Sequence, residues 1–321
     1  MSTDAHGNVH RPAGLDGAGQ FTRKPVSAPE ISLPIFDSAR YDPEIVRSRR
    51  LLIDVITALS EHHEALTVLG AHGVIEMTQG VPDVPPDDST RDGDLGVTPS
   101  LLMPLPRLGK VMESLGFEQE YGDRPGIWSP VSQRHLNIHQ RDTVDLIAPF
   151  AVSYPEGTKK PRRGARVGDH GKNSVSATPG TELTTIDRRL VELRSFDDRP
   201  GVQAYVAAPA ALLCAKAYKL HDRMDAAELA RNSERLRPKD FADVYRLMLA
   251  IEPEDAADVF ARGMATERIG EAVAAGRGYL IEVLSDEDYV ASQVADAWQD
   301  VSRETEFAEF VASWRDRFAV R

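Results

Sequence analysis

Asp92 and Asp94 stand one residue apart in "TRDGDLGV", and a third acid, Asp145, stands in "TVDLIAPF". Both stretches read as strands entering a core. Side chains i and i+2 of a strand share a face, so Asp92 and Asp94 present two carboxylates side by side. Such a pair repels unless something cationic sits between its members. Asp145, in an apolar run, is costly to bury without a partner; alone, it fits an edge position or an ion pair with an arginine. Three acids from neighbouring strands make instead a hard site of oxygen ligands only. That set suits Mg²⁺ or Mn²⁺ rather than zinc. Two such ions can bridge a nucleotide's phosphates and an attacking hydroxyl. The spacing therefore predicts a metal delivered with an NTP as the missing counter-charge.

Phosphates need further partners. "VLGAHGVIE" sets Gly70 and Gly73 directly after a short apolar strand, where small residues let backbone N–H groups approach a phosphate chain at a helix start. No GK[ST] follows, which argues against a P-loop. Lys216 and Lys219 lie on the helical stretch "LLCAKAYKL", where a snorkelling surface lysine is the plain reading. Lys239 and Asp240 open "RPKDFADVYRLM", where an acid in the first turn complements the helix dipole; Asp243 fits a pair with an arginine. His72, in the glycine turn, reads as a structural hydrogen bond. Cys214 reads as a small core residue. "KKPRRGAR" gathers Lys159, Lys160, Arg162, Arg163 and Arg166, a solvated loop or an anion-binding surface, and the nearby "DHGKN" loop is a candidate guide for an RNA end.

The elements that hold these residues follow from pattern. A helix is predicted from "YDPEIVRSRRLLIDVITALSEHHEA", with Asp42 as N-cap and Pro43 at its first position. "LTVLGAHGVIEM" gives a strand, a turn and the start of another element. "LPRLGKVMESLGF" gives a helix ending near Gly116. "RHLNIHQ" and "TVDLIAPF" read as strands joined by "RD", and "RLVELRSF" and "GVQAYVAA" as two more. From Pro209 onward the pattern is helical throughout. The expected class is α+β: a small mixed β-sheet core over residues 41–208, an all-helical domain over 209–321, and a flexible leader over 1–40. Trp298 and Trp314 in the tail point to packing on the core or on a partner.

Composition narrows the setting. A net charge of −12 argues against sequence-blind coating of nucleic acid. One cysteine excludes an internal disulfide framework. No stretch approaches the roughly 20 apolar residues of a membrane span, and a cytoplasmic setting is the simplest expectation.

The ordered set of glycine turn, Asp-x-Asp, third aspartate, helical lysine and Lys-Asp pair resembles the nucleotidyltransferase superfamily typified by DNA polymerase β. Within it, residues 50–250 look most like the abortive-infection and toxin–antitoxin branch of AbiEii or MenT type. The resemblance implies that Asp92, Asp94 and Asp145 hold Mg²⁺ or Mn²⁺ and that Lys216 contacts the phosphates of an NTP. It also implies a nucleotide-binding role for Gly70 and Ala71, in the place of a Gly-Gly or Gly-Ser pair, and for Lys239 and Asp240. The implied activity is nucleotidyl transfer to a hydroxyl on tRNA or protein, by a toxin or phage-defence enzyme with a possible antitoxin partner. An aminoglycoside-type antibiotic-modifying enzyme and an inactive nucleotide-binding or interaction protein are the alternatives. Three departures stand out: Ala71 in the turn, Gly93 where a large apolar residue is expected, and a long connection from Gly70 to Asp92.

Overall fold

Asp42 accepts a hydrogen bond from the backbone N–H of Glu44 at 2.7 Å; with Pro43 next, helix α1 (Pro43–Ala58) starts where the cap and fixed φ dictate. The computed structural model describes residues 2–3, 9–10, 41–82, 84–85, 90–120, 124–155, 158 and 163–321. Met1–Phe36 cluster as one unit and Asp37–Arg321 as another. In the first unit, β1 (Ser2–Thr3) pairs antiparallel with β2 (Val9–His10); otherwise the leader expected over 1–40 lies outside the described residues.

In the second unit, α1 is followed by β3 (Leu66–Val68), α2 (Gly70–Thr78), β4 (Asp92–Val97), α3 (Leu108–Ser114), β5 (Phe117–Gln119), β6 (Ile127–Pro130), β7 (Thr143–Pro149), β8 (Ser176–Thr178), β9 (Arg188–Leu193) and β10 (Val202–Ala207). Helices α4 (Pro209–Met224), α5 (Ala226–Arg231), α6 (Pro238–Leu249), α7 (Pro253–Met264), α8 (Gly270–Val283), α9 (Glu287–Trp298) and α10 (Glu304–Ala319) complete it. The eight strands from β3 on form one mixed sheet in the order β5-β6-β7-β4-β3-β10-β9, with β8 also pairing with β7. β4 and β7 run parallel at its centre, and β3 lies antiparallel to β4. The chain is thus mixed α/β, with strands first and an uninterrupted helical stretch after β10.

Two hydrophobic cores fill the second unit. One packs α1 and α3 on one face of the sheet, through Leu52, Val55, Leu95, Val144 and Leu146. The other joins α2 to α4 and the helices from α6 to α10, through Val74, Leu213, Phe241, Phe260 and Phe307. Met77 of α2 packs against both. Trp314 is buried in the helical core and donates from Nε1 to the carbonyl of Ile251 at 3.2 Å. Among the described residues no helix is long and apolar enough to cross a membrane.

"RHLNIHQ" forms no strand. Asn137 accepts from the backbone N–H of His139 at 3.1 Å and caps a short 3₁₀ turn, while Arg141 donates back to the carbonyls of Leu136 and Arg134. These local bonds outcompete a ladder, as Asn side chains do in turns. The strand beside β7 is instead β6, where Trp128 buries its ring and donates to the carbonyl of Ser174.

Candidate active site

Register brings the three acids together. In the parallel β4–β7 ladder Asp94 sits opposite Asp145, and Asp92 opposite Thr143. By alternation these four residues share one face, while Gly93, Leu95, Val144 and Leu146 turn toward α1. Asp92 is exposed, and Asp94 and Asp145 are half-buried. Thr143 lies between carboxylates: its hydroxyl is 3.2 Å from Oδ1 of Asp92 and 2.9 Å from Oδ1 of Asp145.

The cluster carries more negative charge than its surroundings balance. Burial, then the neighbouring Asp92, push the Asp94 carboxyl up to about 6, although Lys219 and Lys216 pull it down. Burial, then Asp94 and Asp92, push Asp145 well above the carboxylate range, against the Thr143 hydrogen bond. Among the described residues no group of three or more His, Cys, Asp or Glu side chains converges as a ready metal shell. The donor set of the three acids, oxygens with no thiolate or imidazole, fits Mg²⁺ or Mn²⁺.

Gly70 closes one side. It begins α2 at φ +57°, and a Cβ there would lie 1.7 Å from Oδ2 of Asp94. Only glycine meets both demands. The N-cap residue, Leu69, gives α2 no side-chain cap. Its N–H instead bonds the carbonyl of Asp94 at 2.9 Å, which locks the start of α2 to β4. Ala71 is helical, so its place needs no glycine, and its N–H is the same donor that glycine or serine would supply. Gly93 is explained by α1: a Cβ there would crowd the Cβ of Leu52 at 3.2 Å, so the large side chain comes from the helix rather than the strand. The long connection is partly α2 itself, and Arg246 of α6 donates to the carbonyl of Pro85 within the remainder.

Opposite the acids, α4 and α6 meet through a ladder of charge. Lys216 pairs with Asp243, Lys219 with Asp240 at 2.7 Å, and Arg223 with the other oxygen of Asp240. Burial alone lowers the Lys216 ammonium; Asp243, Asp240 and Asp94 outweigh it and leave it raised. Burial, then Lys216, hold Lys219 below its usual value. Asp240 is lowered because Lys219, Lys216 and Arg223 overcome its burial. Both lysines act on Asp94, so the cations lie between two sets of acids.

The sequence reading needs two corrections here. Lys219, left as a snorkelling surface lysine, is with Lys216 a member of this ladder. Asp243 pairs with Lys216 rather than with an arginine. "DHGKN" tucks His170 under α3, where its Nδ1 accepts from the N–H of Leu108 at 3.4 Å. Thr143 and Lys219 escaped notice as site residues; the i, i+3 match of Lys216/Lys219 with Asp240/Asp243 was the available signal. His72 is fully buried, its Nε2 3.0 Å from the Ser48 hydroxyl, as a structural hydrogen bond requires. Cys214 is buried in the helical core, with its thiol pushed up by burial. Lys239 lies within electrostatic reach of His72 in the first turn of α2. Of the basic run, Arg163 and Arg166 are described and Lys159, Lys160 and Arg162 lie outside the described residues. Comparison of the chain with family models, curated proteins and solved structures yields no match.

Proposed function

We propose that the chain is a metal-dependent nucleotidyltransferase that moves a nucleotidyl group from an NTP to a hydroxyl acceptor. The observation that carries this reading is the uncompensated face of Asp92, Asp94 and Asp145 set against the glycine start of α2 and facing the lysines of α4. A bound Mg²⁺ or Mn²⁺ supplies charge neutralisation and Lewis-acid stabilisation of phosphate oxygens. Asp92, Asp94 and Asp145 are the residues that hold it.

The chain's own groups do the rest. N–H groups in the first turn of α2 and the ammonium of Lys239 receive phosphate charge. Lys216 and Lys219 offset the charge that develops on the triphosphate. Asp145, which a bound cation would hold ionised, is placed to take the proton from the acceptor hydroxyl. The acceptor oxygen bonds to the α-phosphorus as the bond to the β-phosphate oxygen breaks and pyrophosphate departs. Positioning and electrostatics carry such a reaction.

The proposed architecture is a nucleotidyltransferase sheet followed by a helical part that supplies the cations. The proposed setting is cytoplasmic, as a toxin or phage-defence enzyme acting on tRNA or protein and held in check by an antitoxin. The test is transfer of label from each α-labelled NTP, with Mg²⁺, to total tRNA and to protein, beside an Asp92→Ala/Asp94→Ala variant. Label that vanishes in the variant supports the reading and names the acceptor. Label on an added aminoglycoside alone replaces tRNA and protein with a cationic small molecule, which the net charge of −12 would suit. Failure of the folded wild type to bind either Mn²⁺ or NTP overturns the reading.

A further inference from the structure

Thr143 occupies an unusual place for a hydroxyl. It starts β7, is 8% exposed, and stands in register beside Asp92 and two residues before Asp145 on the same face. Its Oγ1 reaches a carboxylate oxygen of each, at 3.2 and 2.9 Å. A hydroxyl carries one proton and two lone pairs, so it can satisfy one ionised carboxylate fully at any moment and tether the other only weakly. Asp92 and Asp145 come from different strands, and among the described residues Thr143 is the side chain that hydrogen-bonds to both. The β-branched side chain is stiff at χ1, so the direction of Oγ1 is fixed by the strand rather than chosen by the acids.

We propose that Thr143 is a positioning residue for divalent-cation binding, spacing the Asp92 and Asp145 carboxylates and selecting the rotamers in which both present oxygen to one ion. The inference rests on the nucleotidyltransferase reading for the ion but assigns this residue on geometry alone. Asp92 is exposed at the entrance to β4, and without the tether its side chain is free to rotate to solvent. Asp94 needs no such help, because Gly70 and the start of α2 already confine it. Removing the hydroxyl therefore releases one of three ligands while leaving the strand, the helix and the other two in place. Residues that orient metal ligands typically change affinity 10- to 100-fold when removed, and a loss of about 10-fold is the expectation for one mobile ligand.

The test measures Mn²⁺ binding directly, by electron paramagnetic resonance of free Mn²⁺, on the full chain without nucleotide. Wild type is compared with Thr143→Val, which keeps shape and branching, and Thr143→Ser, which keeps the hydroxyl but frees χ1. Thermal unfolding in chelator confirms that each variant is folded. The expected result is a Kd raised about 10-fold in Thr143→Val and raised less in Thr143→Ser. Should Thr143→Val not fold, Thr143→Ser decides alone, by a Kd above or equal to that of wild type. Wild type binding Mn²⁺ with an unchanged or tighter Kd in Thr143→Val overturns the role of Thr143 and leaves the enzyme reading standing. No binding by wild type, with or without an NTP, overturns both.

Discussion

Two sets of aspartates face each other across one layer of cations, and the fold treats them in opposite ways. Asp240 and Asp243 on α6 are both buried, and each is matched: Asp243 by Lys216, Asp240 by Lys219 and Arg223. Asp92, Asp94 and Asp145 on the sheet have one hydroxyl, a helix start and the far side of the same lysines. Asp240 of the first set is lowered, whereas Asp94 and Asp145 of the second are raised. Identical side chains thus do different jobs. The α6 acids have their partners in the chain and hold the helices in register. The sheet acids lack theirs, and a site that folding leaves unbalanced is one a ligand can balance.

The largest expected effect breaks the matched set. Removing one member of a buried pair leaves the other charged and unsolvated, which typically costs 3–5 kcal/mol. Asp243→Ala should therefore lower unfolding free energy by about 3–5 kcal/mol in urea titration, because Lys216 remains almost fully buried. The paired Lys216→Met/Asp243→Leu variant should recover most of that loss, since well-packed apolar replacements remove both charges at once. Equal losses in the single and double variants would mean that the helices depend on shape here and not on charge.

The second effect relieves the unmatched set. The folded-state value of Asp94, about 6, lies above its unfolded value of 3.8. Between these values the folded chain holds more protons than the unfolded chain. Stability is therefore fully present below pH 3.8 and is lost as pH rises through about 6. Asp94→Asn should remove this slope and raise unfolding free energy at pH 7 by about 3 kcal/mol. Mg²⁺ should stabilise the wild type and not Asp94→Asn. A variant less stable than wild type at pH 7 would show that the carboxylate is already balanced within the chain.

Part of this contrast was legible in the sequence. Asp-x-Asp on a strand, a third acid on a second strand and a glycine turn before them all survive in the fold, because strand alternation and the demand for positive φ are local rules. The parallel register that sets Asp94 against Asp145 was not legible, since pairing across 51 positions is a tertiary choice. The pairing of Lys216 with Asp243 was not legible because its partner lies on another helix, and periodicity reports a residue's own element only. Gly93 looked like a departure for the same reason: Leu52 fills its space from α1. "RHLNIHQ" shows the reverse error, β-rich composition overruled by an Asn cap and an arginine reaching its own turn.

His72 sharpens the comparison with a base in place of an acid. It is fully buried beside Gly70, and burial, then Arg49 and Lys239, hold its imidazole well below its usual range. The fold meets this crowd of cations by keeping the ring neutral, with Nε2 against the Ser48 hydroxyl. The unfolded chain takes up a proton near pH 6.5 that the folded chain refuses. Stability owed to His72 is therefore present above pH 6.5 and lost below it, by about 1.4 kcal/mol per pH unit. That slope has the opposite sign to the one from Asp94, so the two partly cancel between pH 6.5 and 4 in the wild type. His72→Gln in an Asp94→Asn background reads it by difference, because Asp145 contributes to both variants: the single variant should lose more stability on acidification from pH 6.5 to 5.5 than the double variant. Parallel acid limbs in the two would mean that His72 is protonated in the folded chain and that Lys239 lies farther from the start of α2 than a shared phosphate site requires.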